Sequence, residues 1–168
     1  MVSIAVVGPS MSGKTHLCVM LAGLPSVEAS VYNATRGIGY LKSDVDDTPW
    51  HIWDTPCYER SGWPGGQVVM EADVVVVCHD GRRVADPCAL VRDMGVDKCV
   101  LALTRTPLAG ADLSYTLDYF RLTTSRGTLV PVVPTFDGAG RLVATLKGRV
   151  GARPEGSGDP FSPGVPRD

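Results

Sequence analysis

Eight residues near the start of the chain have types and spacing suited to holding phosphate. The run Gly8-Pro9-Ser10-Met11-Ser12-Gly13-Lys14-Thr15 matches the pattern G-x-x-x-x-G-K-[ST]. Its glycines allow a tight turn whose successive backbone N–H groups can bind the oxygens of a di- or triphosphate. Lys14 is predicted to reach the outer phosphates as a catalytic residue, and the Thr15 hydroxyl to bind Mg²⁺. The pattern therefore predicts a nucleotide-binding loop.

Such a loop needs a strand before it and a helix after it, and the sequence supplies both. Residues 3–7 form an apolar run of strand length, and residues 16–22 continue as a helix that Gly23 can end. The positive end of the helix dipole then points at the phosphates. His16, which opens this run, is included among the predicted nucleotide-binding residues.

A carboxylate follows another predicted strand, residues 50–54. Asp54 lies in the sequence Trp53-Asp54-Thr55-Pro56, and an acidic residue there can hold Mg²⁺, usually through water, opposite Thr15. The alternative is that Asp54 is an ordinary strand-end or capping residue.

A polar, glycine-bearing stretch at residues 32–39 separates these two motifs. Thr35 is predicted to give a hydroxyl and a backbone N–H to Mg²⁺ and the γ-phosphate, which makes it a metal ligand and the second catalytic residue. Such a contact would order the loop with a triphosphate and relax it with a diphosphate. The alternative is a loop threonine without a ligand.

The elements that position these residues alternate along the chain, which is typical of βαβ units and a mostly parallel sheet. The predicted strands are 2–7, 38–43, 50–54, 73–78, 98–104 and 128–133. The predicted helices are 14–22, 84–94, 111–122 and 138–150, with a short one around 68–70. Strand 38–43 is expected to pair antiparallel with 50–54 through a turn at Asp46-Asp47. Pro131 predicts an edge position or a bulge in the last strand.

One folded domain is predicted over residues 1–150. Residues 151–168 are rich in Pro and Gly, with Phe161 and Val165 as the only large apolar residues. So little apolar surface cannot offset the entropy of ordering, and we expect a flexible tail.

Composition argues against several function classes. A net charge of −2 gives no electrostatic footprint for nucleic acid or an acidic membrane, so neither partner is predicted. The 5 cysteines show no C-x-x-C pairing, and all but Cys57 lie in predicted strands or helices, which favours reduced thiols and a cytoplasmic or intracellular setting. No apolar stretch is long enough to span a bilayer, and Val2 replaces the glycine that myristoylation requires. We expect no signal peptide and no direct lipid anchor.

The three motifs, in this order, resemble the Ras-like small GTPases, including the Rab type. The resemblance covers about residues 1–150, with the loop at 8–15, Thr35 in the first switch, and Asp54-Thr55-Pro56 opening the second. It implies an α/β, three-layer P-loop NTPase fold with a six-stranded, mostly parallel sheet and about five helices. It also implies GTP and GDP as ligands with Mg²⁺, slow GTP hydrolysis, and effector or regulatory proteins that contact switch regions 30–40 and 55–70.

The chain departs from the family where hydrolysis is catalysed. Members of the family have Gly and then a water-orienting Gln where this chain has Cys57 and Tyr58. A tyrosine cannot position water as an amide does, and Ser10 replaces a glycine that the family often keeps near the entry of an arginine finger. We therefore expect weak or absent hydrolysis.

A second departure concerns the base. The family reads guanine with Asn-Lys-x-Asp after the fifth strand, whereas this chain has Thr104-Arg105-Thr106-Pro107, with no carboxylate. Arg105 can stack its flat guanidinium on a purine. Thr104, Arg105 and Thr135, which follows the sixth strand, complete the predicted nucleotide-binding residues. The guanine preference follows from the resemblance alone.

The sequence thus predicts a small GTPase-like switch or scaffold, with two alternatives open. One is a small-molecule or nucleotide kinase that holds ATP on the loop and a phosphoryl acceptor with Arg82 and Arg83. The other is a pseudo-GTPase interaction module that no longer depends on nucleotide. Cys57-Tyr58 and the altered base motif favour that alternative, while the intact Lys14-Thr15 argues against complete loss.

Overall fold

The computed structural model shows a sheet of six strands with helices packed against it. It describes residues 1–24, 37–57, 63–79, 99–104, 128–131 and 136–151. The strands are β1 (Val2–Val7), β2 (Gly39–Val45), β3 (Thr48–Asp54), β4 (Val74–His79), β5 (Cys99–Leu103) and β6 (Thr128–Pro131). The described helices are α1 (Lys14–Leu21), α2 (Gly66–Glu71) and α3 (Phe136–Gly151). The predicted helices 84–94 and 111–122, and residues 152–168 of the predicted tail, lie outside the described residues.

The strand order is β2-β3-β1-β4-β5-β6. Every neighbouring pair is parallel except β2 and β3, which confirms the six-stranded, mostly parallel sheet. Pro131 ends β6, an edge strand of the described sheet. A proline is tolerated there because its missing N–H removes no bond to a further strand.

The antiparallel hairpin of β2 and β3 turns at Asp46 and Asp47, as predicted. Both residues are left-handed, with φ of 49° and 60°, the backbone that a two-residue hairpin turn favours and that Asp tolerates. Pairing runs outward from the turn to Gly39 opposite Asp54. Asp54 also pairs with Val6, so the hairpin delivers its carboxylate to the carboxyl end of β1.

The main core lies between one face of the sheet and the helices α1 and α3. Apolar side chains of β1, β3, β4 and β5 meet those of the two helices there, each at most 3% exposed. The helix side chains of this core are Leu17, Cys18, Leu21, Leu142 and Leu146. Residues that point to the other face of the sheet are just as buried: Ala5, Val75, Val77 and Leu101. A sheet covered on both faces requires nearly continuous apolar strands, which explains the unbroken apolar run of β4.

The topology creates a crevice beside β1. The chain goes to one side of β1 to form β3 and then crosses to the other side to form β4. Where the strand order reverses in this way, the loops diverge at the carboxyl ends of the strands and leave room for a ligand. The predicted phosphate loop follows Val7, at that point. No helix among the described residues is long and apolar enough to cross a membrane.

Candidate phosphate and metal site

The loop between β1 and α1 curls through residues with positive φ. Gly8 has φ 153°, Met11 61° and Gly13 85°. Glycine reaches these angles at little cost, whereas Met11 carries a side chain in a conformation that such residues rarely adopt. The helix begins at once with Lys14, and the Leu17 N–H donates to the Gly13 carbonyl at 2.9 Å. The loop is therefore flanked by the predicted strand and helix.

Gly8 lies too close to β4 for any side chain. A Cβ at this position would be 2.5 Å from the Cys78 carbonyl oxygen and 2.8 Å from the Ser12 Oγ. Cys78 is fully buried beneath the loop, and burial raises the pKa of its thiol to about 12. Burial likewise raises the pKa of Cys18. Both thiols therefore stay protonated at neutral pH and pack as small apolar side chains, as the sequence predicts.

The first turn of α1 supplies positive potential. It contains no acidic residue of its own, and Gly13 has no side chain with which to cap it, so no side chain of the helix itself satisfies the first N–H groups. Lys14 is only 7% exposed, and its Nζ donates to the Pro9 carbonyl at 2.8 Å. An ammonium group is thus held against the loop, in a largely buried place where its attraction for phosphate is weakly screened.

Ser12 presents a buried hydroxyl in the same loop. Among the described residues, its Oγ has no hydrogen-bond partner. A buried hydroxyl is normally satisfied by protein, water or a ligand. The loop therefore holds a polar group that a bound oxyanion or water could satisfy.

A hydroxyl and a carboxylate meet beside the loop. Asp54 ends β3 and is 4% exposed, and the Thr15 Oγ1 donates to its Oδ2 at 2.6 Å. The next residue, Thr55, uses both its N–H and its Oγ1 to bond the Val6 carbonyl, at 3.2 and 2.8 Å. The Asp54 backbone is thereby fixed to β1. Oxygen donors of this kind suit Mg²⁺, which is usually held by one or two carboxylates together with phosphate and water.

Thr104 was predicted to contact the nucleotide base, and its contacts in the structure lie with the phosphate loop. Its Oγ1 donates to the Ser12 carbonyl at 2.5 Å, and its N–H donates to the His79 carbonyl at 2.9 Å. A Cβ on Gly13 would lie only 3.4 Å from the Thr104 Cβ. Sequence analysis missed this supporting role, because the contact spans 92 residues and depends on the order of β1, β4 and β5.

Gly39 is a second residue that sequence analysis missed. It opens β2 and pairs with Asp54, and an added Cβ would lie 3.3 Å from the Asp54 Cβ. Counting residue pairs outward from the predicted turn at Asp46-Asp47 would have revealed this neighbour.

The structure therefore brings together the loop 8–15, Asp54 and Thr104. Ser10, Met11 and Thr15 of the loop are exposed, and so is His16, which follows it. Three further predicted site residues, Thr35, Arg105 and Thr135, lie outside the described residues, so their roles stay predictions. The same holds for Tyr58 and for Arg82 and Arg83 of the kinase alternative.

Trp50 and Trp63, which lie before and within the predicted second switch region 55–70, have different environments. Trp50 is buried in the core. Trp63 is partly buried: its Nε1 donates to the Pro56 carbonyl at 2.9 Å, and its ring covers Gly65 so closely that a Cβ there would be 2.2 Å away. Trp63 thus folds the chain back onto the segment that follows Asp54.

The outer face of the hairpin carries an aromatic cluster. The Tyr40 ring centroid lies 4.6 Å from that of Trp53 and 5.4 Å from that of His51. Lys42 places its Nζ 5.8 Å from the Tyr40 centroid. Tyr40 is exposed, so this cluster, formed by Tyr40, Lys42, His51 and Trp53, faces outward beside the site.

No protein-family model matches the chain, and no curated protein matches it. Solved structures do. A bacterial selenocysteine-specific elongation factor, EF-Sec, superposes with a TM-score of 0.74 at 17% identity, over 90% of this chain and 29% of that one. Era, in complex with MgGDPNP and nucleotides 1506-1542 of 16S ribosomal RNA, superposes with a TM-score of 0.68 at 20% identity, over 96% of this chain and 59% of that one. The elongation factor SelB from Methanococcus maripaludis, in complex with the GTP analogue GPPNHP, superposes with a TM-score of 0.64 at 12% identity, over 90% of this chain and 34% of that one.

These similarities show that the chain has the P-loop GTPase fold. The predicted fold class is confirmed, whereas the Ras or Rab type is not. The chain spans less than two thirds of the length of each of these three proteins.

Proposed function

We propose that this chain is a guanine-nucleotide-binding domain that takes GTP and GDP with Mg²⁺ and acts as a switch or scaffold. The observation that carries the proposal is the 2.6 Å hydrogen bond from Thr15 to Asp54. The loop sequence alone could match the motif by chance, in a strand-to-helix turn that binds no phosphate. A buried carboxylate from a different strand contacts the last residue of that loop. It supplies the metal-binding part that a nucleotide site with Mg²⁺ requires.

Each residue of the site then has a role. The loop amides and the amino end of α1 bind the phosphate oxygens, and Lys14 adds a positive charge. Thr15 and Asp54 hold Mg²⁺, which when bound would neutralise charge on the phosphates. Thr35 would add a ligand to the metal and the γ-phosphate.

Guanine is the proposed base because two of the structurally similar proteins are in complex with guanine nucleotide analogues. Era holds MgGDPNP, and SelB holds GPPNHP. This chain has no carboxylate in Thr104-Arg105-Thr106-Pro107 with which to accept from the guanine N–H groups. We therefore expect a preference for guanine over adenine that is smaller than a site with that carboxylate would give.

Weak or absent hydrolysis is the second part of the proposal. Cys57, which is half-buried, stands three residues after Asp54 where the family has glycine, and Tyr58 follows where the family has glutamine. A phenol is a poor substitute for an amide that orients water, and Cys57 adds a side chain where the family has none. A bound triphosphate would therefore persist, which suits a switch that is reset by exchange or by a partner.

Partner proteins are proposed to contact residues 30–40 and 55–70. Three large apolar side chains in or beside the described part of these regions are exposed: Ile38, Tyr40 and Met70. Tyr40 belongs to the aromatic cluster on β2 and β3, which begins two residues after Ile38. Exposed aromatic residues next to a nucleotide site are suited to a partner that responds to the bound nucleotide.

Thermal unfolding of nucleotide-stripped protein tests the proposed ligand. With Mg²⁺ present, GTP or GDP at about 100 times its Kd is expected to raise the Tm by roughly 5–10 °C, because such binding adds about 2.7 kcal/mol to the stability. ATP is expected to raise it less. An equal shift with ATP would remove the guanine assignment, and phosphate transfer from ATP to a nucleoside or nucleotide would indicate a kinase.

A further inference from the structure

Gly39 lies against the carboxylate of the proposed metal site. It is the first residue of β2 and the pairing partner of Asp54 in the hairpin. A Cβ at Gly39 would be 3.3 Å from the Asp54 Cβ and 3.9 Å from its Oδ2, the oxygen that accepts from Thr15. A contact of 3.3 Å is tighter than most carbon–carbon contacts, so a side chain here would force Asp54 to move by a few tenths of an ångström.

The backbone of Gly39 does not itself call for glycine. Its φ lies outside the left-handed range, and it belongs to an extended strand in which any residue could be accommodated. Gly37, two residues earlier, lies before β2 begins, and a Cβ there would meet nothing within 4 Å. The need for glycine at position 39 therefore comes from its neighbour, since glycine in a strand often marks such a close approach.

Asp54 has little freedom to move away. It is almost completely buried, and Thr55 is tied to the Val6 carbonyl through two hydrogen bonds. Side-chain torsions leave the Asp54 Cβ in place, so relief of this contact requires the paired backbones at positions 39 and 54 to shift, and any shift of Asp54 carries its carboxylate oxygens with it.

We propose that Gly39 is a positioning residue, whose lack of a side chain sets the Asp54 carboxylate where it contacts Thr15 and, in the loaded protein, Mg²⁺. The metal step rests on the proposed function, whereas the contact with Thr15 does not. Mg²⁺ demands nearly ideal octahedral geometry at about 2.0–2.1 Å, so a displacement of a few tenths of an ångström weakens its binding.

A double-mutant cycle in nucleotide-free protein tests the positioning step. Thr15→Val removes the hydroxyl that donates to Asp54, and it is expected to lower the folded-to-unfolded ratio in urea about 5–10-fold. In a Gly39→Ala background the same change should cost less than about 2-fold, because the hydrogen bond is already weakened. In a Gly37→Ala background it should keep its full effect. An undiminished cost of Thr15→Val in Gly39→Ala would overturn the proposal.

A Mg²⁺ titration of the GDP complex tests the metal step. Gly39→Ala should raise the Mg²⁺ concentration at half-maximal stabilisation about 3–10-fold, with GDP binding in EDTA unchanged within about 2-fold. Gly37→Ala should behave as the unchanged protein, and in an Asp54→Asn background Gly39→Ala should have no further effect. Equal losses with and without Mg²⁺, or equal effects of the two glycine variants, would refute the metal step. If the unchanged protein does not respond to GDP and Mg²⁺, the proposed function fails and the metal step with it, while the urea cycle still decides whether Gly39 positions Asp54.

Discussion

The phosphate side and the base side of the crevice are built from neighbouring strand ends, but they differ in what their residues contact. On the phosphate side, Lys14 and Thr15 donate to Pro9 and Asp54 within a loop shaped by two glycines with positive φ. On the base side, the described residue Thr104 turns its hydroxyl to the phosphate loop. A residue at the position that begins the family's base-reading motif therefore supports the neighbouring half of the site.

This difference separates affinity from selectivity. Backbone amides, a helix end, an ammonium group and a metal ion bind any nucleoside di- or triphosphate, because they recognise charged oxygens. Selectivity for a base requires groups matched to its N–H and C=O pattern, and leaving such groups unpaired is what rejects the wrong base. We infer that this chain retains the first set of contacts more completely than the second.

The largest expected effect comes from placing a methyl group under the phosphate loop. Gly8→Ala would put a Cβ 2.5 Å from the Cys78 carbonyl oxygen, at a φ of 153° that alanine rarely adopts. Backbone strain and overpacking together should lower the free energy of unfolding by about 2–4 kcal/mol. Urea unfolding measures this loss.

Gly23→Ala is the matched control for that variant. Gly23 also has positive φ, 67°, but a Cβ there would meet nothing within 4 Å. Its expected cost is below about 1 kcal/mol, because strain is partly offset by the reduced entropy of the unfolded chain. Similar losses at the two positions would mean that the contact with β4 does not make Gly8 necessary.

A smaller effect is expected at the boundary between the two sides. Thr104→Val removes the hydroxyl that donates to the Ser12 carbonyl and should cost about 1 kcal/mol of stability. If Thr104 acts through the phosphate loop, the affinities for GTP, ATP and inorganic pyrophosphate should all fall by a similar factor, about fivefold. Competition binding with the three ligands measures this.

Thr104→Ser keeps the hydroxyl and serves as the control, so its affinities should stay close to those of the unchanged protein. A change in the GTP-to-ATP ratio, with pyrophosphate binding intact, would instead show that Thr104 reads the base.

Much of the phosphate side could be predicted because its determinants are local. The run from Gly8 to Thr15 specifies a loop between a strand and a helix through glycine positions and apolar flanks alone, and the structure has that order. The hairpin could be predicted equally well, since aspartates such as Asp46 and Asp47 tolerate the left-handed backbone of a tight turn between two antiparallel strands.

The contacts that refine the site could not be predicted in the same way. The Thr104 bond to Ser12 depends on β5 lying two strands from β1. Counting pairs from the turn would have placed Gly39 opposite Asp54, but not the 3.3 Å approach that a Cβ at Gly39 would make to the Asp54 Cβ. Trp63 lies in the predicted switch region 55–70, but whether its Nε1 reaches the Pro56 carbonyl depends on how the chain turns at Gly65. Such facts are set by tertiary arrangement, which composition and periodicity do not encode.

The account depends most on the phosphate loop binding nucleotide, and calorimetric titration of nucleotide-stripped protein with GDP and GTP tests this directly. With Mg²⁺ present we expect saturable binding of one nucleotide per chain, weakened about 100-fold by Lys14→Ala, which removes the buried ammonium group, and unchanged by Lys147→Ala on exposed α3 surface. Folded protein that shows no saturable binding of any purine di- or triphosphate with Mg²⁺, at two temperatures, would contradict the account.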